Sequence, residues 1–188
     1  MWHGGGVTSA DRRARFEAIA GEVMEPLRRF LARRTDPATA EDVLAEALLV
    51  CWRRIDEVPD EALPWVYGVA RNCLANAERS ARRQHRVAAR IATVDPPVQV
   101  DGEPRSAAED TAEDTVAAAL ARLSERDAEL VRLWAWEQLG AAEIADVLGI
   151  TPNAASIRLH RAREKLRAEL RKIPAAAGHE EQKEGRNP

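Results

Sequence analysis

Apolar positions recur along this chain at helical spacing and almost nowhere alternate, so the pattern predicts helices from end to end. Across residues 11–34, Phe16, Ile19, Val23, Leu27, Phe30 and Leu31 share one stripe, with Pro26 expected to kink or bound the helix. A second helix, opened by Thr39 or Asp36, turns Val43, Leu44, Ala47, Leu48, Cys51 and Ile55 inward. Residues 56–63 form a short polar connection. Pro64 then starts a long helix in which Val66, Val69, Ala70, Cys73 and Leu74 pack, while the arginines beyond Glu78 stay in water. Residues 93–110 combine prolines, glycine and acids without period and read as a linker. The helical pattern resumes through Val116, Leu120, Leu123, Leu130, Val131, Leu133 and Trp134, and the tail after Ile173 has too little apolar content to fold.

Residues 139–162 have the sharpest pattern. Ile144, Val147 and Leu148 recur at helical spacing, and Ala145 is small where a second helix must cross closely. Gly149 ends that helix, because glycine alone takes the left-handed conformation without steric cost. Thr151 caps the next helix and Pro152 occupies its first position, where a missing N–H is harmless. Asn153, Ser156, Ile157 and Arg158 then lie near the N-terminal end, the part that meets base edges in a major groove, and Arg161, Arg163, Lys165, Arg167, Arg171 and Lys172 follow at spacings suited to phosphates. A helical hairpin with a solvated basic face would share some of this. Helix stop, cap, small crossing residue and basic face together point to a DNA-binding helix-turn-helix.

Composition narrows the picture without redrawing it. The 188 residues are 45% hydrophobic, much of it alanine, and β-branched and aromatic runs are sparse; the expected class is all-α, as two small domains. The formal charge of -3 conceals blocks. Residues 64–90 hold six arginines against Glu78, a net +5; residues 95–129 hold ten acids against three arginines, a net -7; residues 150–172 hold seven basic residues against two glutamates, a net +5. Two basic blocks flanking an acidic one suggest two nucleic-acid-facing modules joined by a segment that need not touch DNA. Cys51 and Cys73 belong to no C-x-x-C pair and there is no histidine cluster, so neither a disulfide framework nor a zinc site is indicated. No apolar run approaches membrane-spanning length and residues 1–13 lack a signal-peptide core, so a soluble cytoplasmic protein without membrane insertion is expected. No carboxylate, histidine or cysteine constellation has spacing usable for catalysis. A stand-alone helix-turn-helix repressor or activator, dimeric on a palindromic operator, stays open at this point, although no heptad or other dimerisation helix is evident.

Both halves together resemble the extracytoplasmic-function (ECF) sigma factors of bacterial RNA polymerase. Ala40-Glu41-Asp42-Val43-Leu44-Ala45-Glu46 followed by Cys51-Trp52-Arg53-Arg54 is similar to the family's A-E-D-L-x-Q-E…A-W-R segment, and Pro64-Trp65-Val66-Tyr67-Gly68-Val69-Ala70-Arg71-Asn72 resembles its R-x-W-L-x-x-I-A-R-N helix. Residues 120–163 resemble its sigma-4 domain, through to the R-L-H-R-A-R end. The resemblance implies a sigma-2-like domain over 11–92, a linker over 93–111 and a sigma-4-like domain over 112–173, with unfolded segments at 1–10 and 174–188. It implies docking on core RNA polymerase through Glu41, Asp42, Glu46, Leu49 and Arg53. It places the -10 promoter element on Trp65, Tyr67, Asn72, Asn76, Arg79, Arg82 and Arg83, with a flipped base held by the 56–63 loop, and the -35 element on Thr151, Asn153, Ser156, Ile157, Arg158 and Arg161. No cofactor and no catalysis are implied; the partners are core polymerase, promoter DNA and an anti-sigma factor, and the free chain is expected to be a monomer. This sequence departs from the family pattern at Ala45, where a glutamine is usual, around Ala75-Asn76, where an acid is usual, and at Asn153-Ala154-Ala155-Ser156-Ile157, where G-T-V-K-S is common. Trp52 is expected to pack in the core, Trp134 and Trp136 to lie in the core or on the domain surface rather than on DNA, and Trp65 to serve either packing or the melted junction.

Overall fold

A computed structural model describes residues 9–92 and 112–172, with side chains for 9–86 and 115–172. Among the described residues every regular element is helical: α1 (Ser9–Ala32), α2 (Pro37–Arg53), a 3-10 turn (Ile55–Glu57), α3 (Ala62–Ala92), α4 (Ala112–Ala121), α5 (Glu125–Ala135), α6 (Ala141–Leu148) and α7 (Pro152–Leu170). No helix among them is long and apolar enough to cross a membrane. The expected linker and tail, and residues 1–8 of the expected N-terminal segment, lie outside the described residues.

Helices α1, α2 and α3 form one three-helix unit, with Val23, Leu27, Phe30 and Leu31 of α1 meeting Val43, Leu44 and Ala47 of α2 and Val66, Ala70 and Cys73 of α3. Of the two expected caps of α2, Asp36 serves: its carboxylate accepts the Thr39 N–H at 3.0 Å, which holds that carboxyl below its ordinary range. Helix α1 continues past Pro26, so the proline does not bound it: the apolar stripe on both sides stays packed and holds the helix together across the missing hydrogen bond. It also begins at Ser9, and α3 begins at Ala62, two residues before Pro64, which then falls within the first turn where its lack of an N–H is tolerated.

Helices α4 to α7 form the second unit. Ser124 caps α5 by accepting the Asp127 N–H at 3.2 Å. Gly140 opens α6, with Glu143 reaching back to its N–H at 2.7 Å. Gly149 closes α6 at φ 64° and ψ 41°, the left-handed geometry the sequence calls for. Thr151 accepts the Ala154 N–H at 3.2 Å and Pro152 leads α7. Ala145 is fully buried where α6 and α7 cross, next to Ala155 and Leu159.

The two units pack on each other, chiefly α3 against α6, and their buried side chains form one continuous cluster. What joins them is close backbone approach at Gly68, where a Cβ would stand 3.5 Å from the Val147 carbonyl oxygen, and an ion-pair cluster at the end of α1.

One tryptophan expectation is corrected. Trp52 is 38% exposed, its edge against Phe16 at 5.4 Å between centroids, because the inward stripe of α2 passes through Cys51 instead. Trp134 and Trp136 lie on the surface, beneath the guanidinium groups of Arg163 and Arg33 respectively. Arginine stacking covers the rings where no apolar neighbour does. Val116 is likewise exposed.

Candidate nucleic-acid interface

On α3, positions 65, 72, 76, 79 and 83 recur at three-, four- and seven-residue steps and share one face of the helix. Asn72, Asn76, Arg79 and Arg83 are exposed there, with Arg82 beside them, and Trp65 is half-buried at the stripe's N-terminal end beneath the guanidinium of Arg54. Asn76 Oδ1 accepts from Arg79 at 2.5 Å, and Arg79 also donates to the Ala75 carbonyl at 3.1 Å, so this arginine is held against its own helix in the free chain. Arg82 faces Glu78 at 3.6 Å.

Tyr67 does not join them. It is 2% exposed and lies against Phe30 with ring centroids 4.8 Å apart. Two residues past Trp65 is about 200° round a helix, so the two rings fall on different faces and Tyr67 turns toward Phe30 of α1. The spacing to Ala70 and Leu74, both core residues, carries that signal in the sequence. Burial, then the nearby Glu137 carboxylate, pushes the phenol up to about 12.

The loop before α3 is tied to α1. Arg12 pairs with Asp56, and Arg15 donates to the Val58 carbonyl at 2.6 Å while Val58 itself is buried. Pro59, Asp60 and Glu61 project outward from that anchored base.

On α2, Asp42, Glu46, Leu49 and Arg53 recur at four-, three- and four-residue steps along one exposed face. Leu49 is 45% exposed in the middle of it. Glu41 lies beside the stripe, engaged with Arg28 at 3.7 Å.

The second helix of the helix-turn-helix splits its predicted residues between two faces. Asn153, Ser156 and Ile157 look outward from the first turns, Ile157 being 45% exposed, and His160 continues that face. His160 was not among the expected DNA-reading residues, although its spacing of three from Ile157 and four from Ser156 marks it as their neighbour. Arg158 and Arg161 turn with Lys165 toward a cleft of about 730 Å³ that Arg71, Leu74 and Glu78 of α3 line from the other side. Lys165 pairs with Asp127 at 2.6 Å; among the described residues Arg71, Arg126, Arg158 and Arg161 have no ion-pair partner.

Comparison with known proteins bears on the family and the fold. The model of the sigma-70 region 4 family matches residues 113–166. The ECF RNA polymerase sigma factor SigL of Mycobacterium tuberculosis (strain H37Rv) is 31% identical over 169 residues, covering 88% of this chain and 94% of that protein. A probable RNA polymerase sigma factor, RfaY of Xanthomonas campestris, is 31% identical over 145 residues, 74% of this chain and 36% of its own length. Among solved structures, sigma factor RpoE bound to the anti-sigma factor NepR from Bartonella quintana superposes with a TM-score of 0.52 at 20% identity, covering 83% of this chain and 96% of that one. The PhyRSL–NepR complex from Sphingomonas sp. Fr1 gives 0.53 at 16% identity, over 87% and 98%. These two speak for the fold alone, whereas the similarity to SigL runs through both helical units, and on that ground the chain belongs to the ECF RNA polymerase sigma factors.

Proposed function

We propose that the two units of this sigma factor divide the promoter between them. Residues 11–92 dock on core RNA polymerase through Glu41, Asp42, Glu46, Leu49 and Arg53, and read and help melt the -10 element through Trp65, Asn72, Asn76, Arg79, Arg82 and Arg83. Residues 112–173 read the -35 element through Asn153, Ser156, Ile157, Arg158 and Arg161, on a helix started by Thr151. The observation that carries this reading is the Thr151-capped helix, whose first turns hold Asn153, Ser156 and Ile157 clear of the core, as insertion into a major groove requires. Tyr67 supports the -10 helix from beneath rather than touching DNA.

Melting needs a place for an unstacked base and cations for the strand around it. The anchored 56–63 loop beside Trp65 suits the first, and the arginine-rich face of α3 the second. The chain supplies no catalytic step; it works in the cytoplasm as a polymerase subunit, monomeric when free. Because the structural relatives include a sigma factor held by an anti-sigma protein, we extend the same kind of partner to this chain.

Run-off transcription tests the proposal, using purified core RNA polymerase and a promoter from upstream of the protein's own gene. A start site that requires both chain and core supports it. No transcript, together with tight duplex binding by the chain alone, would favour a stand-alone operator-binding regulator.

A further inference from the structure

The inward stripe of α7 passes through Ala155, Leu159 and Ala162. Ile157 lies two positions from Ala155 and two from Leu159, about 200° round the helix from each, and is 45% exposed. Its neighbours on the outward face are Asn153 one turn before, Ser156 beside it and His160 one turn after, all polar and all exposed. Ile157 is the one large apolar side chain that α7 leaves in water.

Stability does not call for isoleucine there. A β-branched residue is less favourable than alanine in a helix, and its exposed surface stays hydrated in the free chain. A single apolar side chain among polar ones is also too small for a protein-docking patch, which needs a contiguous apolar area. It suits a small apolar target presented among polar groups.

The floor of a major groove offers one such target. Base edges display hydrogen-bond donors and acceptors there, and the C5-methyl group of thymine is the apolar exception. Asn153, Ser156 and His160 have groups that answer donors and acceptors, whereas Ile157 has none and answers the methyl alone. The cap at Thr151 fixes where α7 begins, which puts Ile157 in its second turn, within the N-terminal stretch that meets base edges. Branching at Cβ confines a helical isoleucine largely to one χ1 rotamer. The side chain is therefore set in place before DNA arrives and loses little freedom on contact.

We propose that Ile157 selects a thymine in the -35 element by packing against its C5-methyl group. The assignment rests on the proposed -35 role of α7 and names the base that one of its positions specifies. Removing a single buried methyl group from such a contact weakens binding about fourfold.

The test uses holoenzyme assembled from core RNA polymerase and the full chain. Selection from a pool of random-sequence duplexes should return a -35 element with a thymine at one position, and Ile157→Ala should relax that position while the others hold. Deoxyuridine in place of that thymine removes the methyl and keeps every hydrogen-bonding group of the base edge. It should weaken binding about fourfold with the unaltered chain and leave Ile157→Ala unaffected. Ile157→Val, which keeps the branch at Cβ, should retain part of the discrimination. The side chain is exposed, so far-UV circular dichroism should show the same helices in every variant. The assignment is overturned if Ile157→Ala relaxes no position, relaxes one that holds another base, or still binds the uracil duplex more weakly than the thymine one. Loss of core polymerase from Ile157→Ala in co-purification also overturns it, by placing the side chain in a protein interface. Arg158→Ala with Arg161→Ala judges the underlying reading separately: if this pair loses the selected -35 element, that reading stands whatever Ile157 does. If the unaltered holoenzyme selects no such element, both fall.

Discussion

Two glycines of this chain should respond to the same substitution with opposite sign. Neither Gly21 nor Gly149 has a heavy atom within 4 Å of the position a Cβ would take, so alanine meets no steric obstacle beyond its own backbone at either site. Gly21 lies exposed inside α1, where alanine is favoured over glycine by about 0.8–1 kcal/mol. Gly149 sits at φ 64°, where an L residue with a Cβ costs about 1–2 kcal/mol. Part of that cost is offset by alanine's smaller loss of chain entropy on folding, leaving a net destabilisation of about 1 kcal/mol. For domains of 60–100 residues, 1 kcal/mol moves Tm by about 4–8 °C. Scanning calorimetry on the two variants should therefore show Gly21→Ala melting a few degrees higher and Gly149→Ala a few degrees lower than the unaltered chain. Gly149→Asn should recover part of the loss, since asparagine tolerates the left-handed region. An unchanged or raised Tm in Gly149→Ala would refute the reasoning, because no other interaction is available there to cancel the backbone strain.

The other predictions concern the cap, the interfaces and one carboxylate. Thr151→Ala, which leaves the Ala154 N–H without its 3.2 Å partner, should lower stability by about 1 kcal/mol in urea titration, and Thr151→Ser should restore most of it. Arg158→Ala with Arg161→Ala should reduce promoter-specific run-off transcription while core polymerase still co-purifies with the chain; an unchanged transcript level refutes their DNA role. Asp42→Arg should weaken polymerase association itself, and a variant that co-purifies as well as the unaltered chain sinks that assignment. Asp127 is held below the usual carboxylate range chiefly because Lys165 donates to it at 2.6 Å, with Ser124 adding a second hydrogen bond at 2.9 Å. Its folded value is depressed, so its contribution is present above its unfolded value of about 3.9 and lost as pH falls through the folded one. Urea midpoints of the unaltered chain and Asp127→Asn should thus differ above about pH 4 and converge as acid protonates the group; a gap that persists in strong acid argues against the ion pair.

The helices, their stop and start signals and most of their inward faces were legible in the sequence, because each depends on neighbours within about four positions. Gly149, Thr151 and Pro152 define the turn between α6 and α7 by backbone chemistry that needs no partner elsewhere. The order of the docking, -10-like and helix-turn-helix motifs was enough to suggest the sigma factor family. Tyr67 marks a limit of reading motifs over periodicity: its place in the W-V-Y string suggested DNA, while its helical phase with Ala70 and Leu74 had already assigned it to the core. For Trp134 and Trp136 the sequence left core and domain surface open, and the structure chose the surface, where an arginine covers each ring. Only the tertiary structure decided that Arg34 meets Glu137, 103 positions away, that Gly68 admits α6 at backbone distance, and that Arg158 and Arg161 face α3. Local pattern specifies which face of a helix avoids water; which other face it meets is settled by packing among all of them at once, and charges so far apart in the chain carry no periodic signal of their pairing.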